Sequence, residues 1–374
     1  MDRREFHLDW RRIILLILLV LLTIWIFSRF ADLRDLASTL AQAHPGWLVA
    51  ASVIYLLYFV MDAQLYRFGF AVVGVASQLL EILPVMFTAY FVNALAPSGG
   101  AAGGALFVDD AVRRGESGPR TAVGAVLVLL SDLSTLLPFL LFSVIYLQRQ
   151  GKLFYYDIIS SAVYVLFVGI LTAGLVLARH QFALLQRGLS WVQRMANWVG
   201  ARFSHPDLLG QDWPERNARE LERGAEAIVN EPRAVTVTFA WAVFLHVVNV
   251  VGLYVIFQAF EQPVRLGTLV AGYAMGIVFW VVTLVPRGLA AVEGIMTLVY
   301  TKLGIPSEEA AAIVLTFRAA MFWLPLVIGF FALRRTRTFR SPDSGEGRSE
   351  EADQSGPNRG SGSETRDEGQ ADSG

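Results

Sequence analysis

Apolar residues run through this chain in long blocks separated by short polar breaks, and the block lengths suit helices that cross a bilayer. Crossing about 30 Å of hydrocarbon takes about 20 mainly apolar residues. Eight blocks meet that requirement, near residues 11–28, 47–66, 79–96, 121–147, 157–178, 233–260, 267–285 and 308–333. Trp10, Trp47, Tyr146, Tyr155 and Tyr156 fall near block ends, where amphipathic rings favour the interface. The first block follows Arg3, Arg4, Arg11 and Arg12, lacks a small-x-small cleavage site and leads into Ser28-Arg29-Phe30. It reads as a retained helix rather than a signal peptide. The pattern predicts an all-α polytopic membrane helix bundle with about eight spanning helices over residues 1–338.

Two stretches depart from this pattern. Residues 179–232 are rich in arginine and acids, with apolar residues at helical spacing through Leu184, Leu185, Leu189, Val192, Met195 and Val199. They read as an amphipathic helix on the membrane surface followed by a charged linker, or else as a basic surface for anionic headgroups. Residues 339–374 are Ser, Gly, Asp and Glu with almost nothing to bury, the composition of a disordered acidic tail.

Two blocks end in unusual sequence. Asn93-Ala94-Leu95-Ala96-Pro97 is followed by Ser98-Gly99-Gly100-Ala101-Ala102-Gly103-Gly104 and a short run to Arg113-Arg114-Gly115. Later, Thr283-Leu284-Val285-Pro286 leads into Arg287-Gly288-Leu289-Ala290-Ala291-Val292-Glu293-Gly294 and a run ending at Lys302-Leu303-Gly304. Aligned on Pro97 and Pro286, Leu95 matches Leu284, Gly99 matches Gly288, Ala101 and Ala102 match Ala290 and Ala291, and Gly115 matches Gly304. Unpaired backbone groups in hydrocarbon cost several kcal/mol each, so broken or re-entrant half-helices persist only where protein or a wet cavity satisfies them. Paired breaks in corresponding positions of two halves point to a site near the midplane. The competing explanation is that the Gly-Ala runs allow close helix packing. If each segment turns back through the membrane, most flanking Lys and Arg fall on the side of a cytoplasmic N-terminus. Pro97 and Pro286 then point to opposite faces, which makes the halves an inverted repeat with both termini in the cytoplasm of a cell-membrane protein.

Composition agrees with membrane residence. The 374 residues are 55% hydrophobic and 17% charged, with a mean hydropathy of +0.49. There is no cysteine, which excludes disulfides, thiolate metal sites and cysteine nucleophiles. The histidines, His7, His44, His180, His205 and His246, are scattered, and no Walker loop or nucleophile elbow occurs. No catalytic residue, metal ligand or cofactor is therefore assigned, and the expectation is a protein that is not an enzyme. Intramembrane charge is the better guide to a site. Glu293 follows the second break and Arg318 lies in the middle of the last block; the two are expected to pair, either across a cavity wall or as a register-fixing ion pair. Asn93 and Asp132 are the corresponding polar groups of the first half. Asp109 and Asp110 are expected to solvate a half-helix end, Asp62 and Gln64 to be interfacial, and His246 with Asn249 to bond between helices.

These residues resemble the lysylphosphatidylglycerol synthase transmembrane-region family of flippase-like membrane proteins. The resemblance rests on Pro286 to Gly294, then Leu303-Gly304-Ile305-Pro306, Ala310-Ala311-Ala312, Arg318, Phe322-Trp323-Leu324-Pro325 and Gly329. In the first half it rests on Asn93, Pro97, Gly99, Gly100 and the Arg-Arg-Gly at 113–115. Many family members carry an acid and an arginine where this chain has Ala105 and Val108, and a Glu-Arg pair where it has Ser131-Asp132, so the first half is chemically depleted.

The resemblance implies a lipid-handling protein without the synthase reaction, which belongs to a separate soluble domain. The expected function is translocation of a phospholipid or polyprenyl-linked lipid with a charged headgroup between leaflets, and no nucleic acid is implied. Candidate binding residues are Asn93, Pro97, Gly99, Gly100, Asp132, Pro286, Arg287, Gly288, Glu293, Gly294, Arg318, Trp323 and Pro325. The alternatives are a membrane-embedded lipid-modifying enzyme with Glu293 as base, and a non-catalytic partner in cell-envelope assembly.

Overall fold

A computed structural model describes residues 43–95, 101–202, 209–283, 288 and 290–333. The expected first helix at 11–28, the tail at 339–374, and Pro97, Gly99, Gly100, Pro286 and Arg287 lie outside the described residues. Helices are α1 (Pro45–Val72), α2 (Leu79–Leu95), α3 (Ala101–Arg113), α4 (Gly118–Arg149), α5 (Tyr155–His180) and α6 (Phe182–Arg202). They continue with α7 (Trp213–Asn230), α8 (Pro232–Ala259), α9 (Leu266–Val282), α10 (Ala291–Lys302) and α11 (Ser307–Arg318). A π-helical turn, Ala319–Trp323, joins α11 to α12 (Leu324–Leu333). Among the described residues α1, α4, α5, α8 and the joined α11–α12 are long and apolar enough to span, so the fold is a polytopic helical membrane bundle.

Prolines set several starts. Pro45, Pro119, Pro214 and Pro232 occupy first-turn positions, where a missing N–H costs nothing and the fixed φ suits a helix. The centre is the antiparallel pair α1 and α8. His44 N donates to Ala259 O at one end (2.8 Å), and Trp241 Nε1 donates to Met61 O toward the other (2.8 Å).

The blocks at 79–96 and 267–285 become shorter helices that turn back. At about 1.5 Å per residue, the 17-residue α2 and α9 reach about 25 Å and their return arms less. Each pair is an antiparallel hairpin whose two ends meet. Arg114 Nη1 donates to Ala76 O (2.8 Å) and Ala76 N to Glu116 Oε1 (3.3 Å), joining the start of α2 to the end of α3. In the second hairpin Tyr300 OH donates to Leu269 O (3.5 Å). Both return arms stop at a positive-φ glycine, Gly115 (φ 85°) and Gly304 (φ 98°), followed by the same six-residue closing bond, Glu116 N to Ala111 O and Ile305 N to Tyr300 O.

The two hairpins start from opposite ends of the bundle. The ends of α2–α3 lie beside the start of α4, whose Ser117 and Arg120 bond Glu220 of α7. The ends of α9–α10 lie beside the end of α4, through Tyr146 and Thr268 (3.2 Å), and beside Phe154 and Tyr156 at the start of α5, through Lys302. α2 packs on α12 as α9 packs on α4.

The expected charged linker is corrected to a helix. Helix α7 buries Ala218, Gly224 and Ala225, with Gly224 against Val123 of α4. Small residues at helical spacing let it lie flat on α4, with Glu220 bonding Ser117 and Arg120 there and Glu215 and Arg219 exposed. The amphipathic helix before it is α6, which leaves Trp191, Val192, Met195 and Trp198 exposed. Asp62 is corrected as well: α1 runs ten residues beyond it, and Asp62 is buried, accepting a bond from Tyr90 OH (2.7 Å).

Candidate functional site

Two polar clusters occupy the apolar interior, one at the second hairpin and one between α4 and α8. The first is built by a break and a bulge. Gly288 has φ +63°, and a Cβ there would lie 2.7 Å from Val292 Cγ2 and 3.0 Å from Trp280 Cα, so only glycine fits this turn. The turn delivers Glu293 to the first turn of α10, where free N–H groups and the helix dipole favour a carboxylate.

Arg318 ends α11 immediately before the π-helical turn, and Pro325, which cannot donate to a helical carbonyl, follows two residues after it. π-Bulges accommodate such breaks and recur at functional sites. Arg318 Nε donates to Glu293 Oε1 at 2.7 Å, and its guanidinium lies 4.7 Å from the Phe322 ring centroid. Arg318 is buried, and eleven residues of helix from Ser307 put it about 16 Å in, near mid-membrane. Among the described residues Glu293 Oε2 is buried with no hydrogen-bond partner. The expected Glu293–Arg318 pair is thus present, with one acceptor to spare.

The second cluster sits on the turn of α4 before Pro138. Its ring leaves the carbonyl of Ser134 without an intrahelical donor and loosens the turn before it. Carbonyls of that turn accept from outside the helix: Leu133 O from Tyr164 OH (2.7 Å) and Asp132 O from His246 Nε2 (2.9 Å). His246 Nδ1 meets Tyr273 OH at 2.8 Å, and its Nε2 is 3.6 Å from Asp132 Oδ1. Tyr55 of α1 stands between the clusters, its hydroxyl donating to Asn249 O (3.3 Å) and its ring 5.9 Å from Phe317.

The remaining expected residues divide. Asn93 reaches across the first break to cap α3, accepting from Gly103 N at 2.7 Å, which is a structural role. Asp109 and Asp110 pair with Arg113 and Arg114, both at 2.9 Å, at the end of α3. Pro325 is buried, Trp323 is half-buried beside Phe322, and Gly294 faces open space. No group of three or more metal-ligating side chains occurs among the described residues. Sequence reasoning missed the tyrosines. Tyr55, Tyr58 and Asp62 follow i, i+3, i+7 spacing on one face of α1, a signal that could have found them.

Comparison with known proteins places this geometry. The family model for the lysylphosphatidylglycerol synthase TM region matches residues 13–329. The chain belongs to that family. Relatives of the family include a UPF0104 membrane protein of Methanocaldococcus jannaschii, 21% identical over 85% of this chain and 93% of its own length. A UPF0104 membrane protein of Methanothermobacter thermautotrophicus is 24% identical over 86% of this chain and 92% of its own. In this member of the lysylphosphatidylglycerol synthase TM-region family, Glu293, Arg318 and the π-helical turn lie within the matched span.

Proposed function

We propose that this protein moves a lipid with a charged headgroup between leaflets, the headgroup passing between two oppositely directed hairpins. The observation that carries the reading is the Glu293–Arg318 pair, held near mid-membrane at the tip of a re-entrant hairpin with Glu293 Oε2 unpaired among the described residues. Intramembrane charge is costly and concentrates on ion and substrate pathways. Arg318 attracts a phosphate, and the spare oxygen of Glu293 takes a donor such as an ammonium.

The reading includes an inverted repeat. Each half consists of a long helix, a broken hairpin and a second crossing helix, and exchanging the halves carries the α2–α12 contact onto α9–α4 and the α3–α4 contact onto α10–α11. It also includes an orientation. Arg113, Arg114, Arg120, Arg216, Arg219, Arg223 and Arg233 share the face on which α2–α3 begins and ends, which makes that face cytoplasmic. No covalent chemistry is assigned to Glu293.

The test is leaflet exchange of fluorescent phospholipids in cell-sized or smaller vesicles carrying the purified full chain. Wild type exchanges lipid, and Glu293→Gln and Arg318→Lys each lower the rate at least tenfold while eluting as the same folded species. Wild-type vesicles that exchange no faster than empty ones contradict the proposal, and covalently altered lipid would replace it with an enzymatic reading.

A further inference from the structure

The α4–α8 cluster is not used by the lipid reading, yet it contains the one buried imidazole among the described residues and a carboxylate with unusual surroundings. The Asp132 side chain, in the middle of α4, keeps 31% of its surface accessible. His246 behind it is 3% exposed. We propose that Asp132 and His246 form a proton-binding site, reached through the exposed part of the Asp132 carboxylate, that couples proton movement to lipid movement. The coupling rests on the translocation reading; the proton site stands on its own geometry.

His246 Nε2 faces two acceptors, Asp132 O at 2.9 Å and Asp132 Oδ1 at 3.6 Å, so it carries the ring proton and donates. Nδ1 lies 2.8 Å from Tyr273 OH, which donates to it when the ring carries one proton only. In this state the imidazole is neutral and the pair carries one negative charge. Groups facing it are Tyr273 from α9, Tyr58 from α1 and Tyr164 from α5, with Asp62 and Tyr90 beyond Tyr58. No Lys or Arg among the described residues bonds to Asp132 or His246. An uncompensated charge in the interior is costly, and a proton taken from hydronium removes it, leaving water.

The proton lands either on the accessible Asp132 carboxylate or on Nδ1, where Tyr273 must turn its hydroxyl away; the pair titrates as a unit. In both cases the loaded pair is neutral. Arg318 is instead held on a carboxylate, its Nε donating to Glu293 Oε1 at 2.7 Å. The two clusters are linked through Tyr55, which touches Asn249 on one side and Phe317 on the other. An anionic headgroup drawn by Arg318 therefore meets a negative pair when the site is empty and a neutral one when it is loaded, so anion and proton cross together.

The experiment uses sealed vesicles of the full chain with an imposed pH gradient, reading exchange of a fluorescent anionic phospholipid together with internal pH by a trapped dye. Wild type is expected to exchange at least threefold faster from the acidic side, with internal pH falling in step. Asp132→Asn and His246→Gln should exchange at rates that ignore the gradient. Wild-type exchange unchanged by the gradient, with no proton entry, overturns the coupling and leaves the lipid reading intact. If no variant exchanges lipid, the translocation reading fails, and infrared titration of the full chain in nanodiscs decides the proton site. A carboxyl band that titrates in wild type, is lost in Asp132→Asn and is shifted in His246→Gln supports it; its absence in wild type overturns it.

Discussion

The two interior clusters are built by the same device and differ in chemistry. Each uses a proline-disturbed helix to open carbonyls or aim a side chain, Pro138 in α4 and Pro325 with the π-helical turn in α11–α12. One places a guanidinium against a carboxylate at 2.7 Å, an ion pair. The other places an imidazole beside a partly exposed carboxylate, the pair proposed above to bind a proton. The comparison separates holding a charged group from switching a site's charge, two tasks that a single ion pair cannot perform together.

The comparison can be broken by substitution. Arg318→Met leaves Glu293 buried and uncompensated and should cost about 3–5 kcal/mol, read as a large fall in thermal stability in nanodiscs. Adding Glu293→Gln to it should recover part of that loss, because a lone buried charge is worse than none. Gly288→Val should rank next. It forces a branched side chain into φ +63° and into Val292, costing at least about 1–3 kcal/mol and uncoupling Glu293 from Arg318. His246→Leu should cost about 1–2 kcal/mol, the range for interhelical bonds in membranes, by orphaning Tyr273 OH.

A natural chain without cysteine permits a sharper test of the hairpins. Single cysteines at Gln78 and Glu116 should label from one face, and at Gln150 and Ser307 from the other, with membrane-impermeant reagent on sealed vesicles. Labelling of Gln78→Cys and Glu116→Cys from different faces would remove the first hairpin.

The smallest effect lies at α7. Burial raises the Glu220 carboxyl, but bonds from Ser117 and Arg223 and the charges of Arg120 and Arg223 outweigh it and hold the carboxyl below the ordinary range. A depressed carboxylate contributes stability above its unfolded pKa and loses it as pH falls through the folded value. Acidification below the carboxylate range should therefore loosen α7 from α4, seen as faster hydrogen exchange over residues 213–230, while Glu220→Gln should remove that pH dependence.

Much of this was legible in the sequence, because lipid leaves little choice: block length gave seven of the helices, and the cost of orphaned backbone marked the segments after Asn93 and Thr283 as special. The Glu293–Arg318 pair followed from the rarity of intramembrane charge. Helix α7 was missed because its apolar positions, Ala218, Leu221, Ala225 and Ile228, are few and mostly small and stand among many Glu and Arg, so the segment read as charge although the helical period is there. Asp62 was misplaced because α1 extends past its apolar block to Val72. The His246 cluster was read as a simple interhelical bond, since the contacts of His246 with Asp132 and Tyr273 exist only once α4, α8 and α9 are packed.

The most direct test is the pH profile of lipid exchange, at equal pH on both sides, for wild type, Glu293→Gln and Asp132→Asn in identical vesicles. The account predicts that Glu293→Gln lowers the rate at every pH and keeps the shape of the wild-type profile, whereas Asp132→Asn flattens the profile. Two variants with the same profile, or a wild type with a flat one, would contradict it.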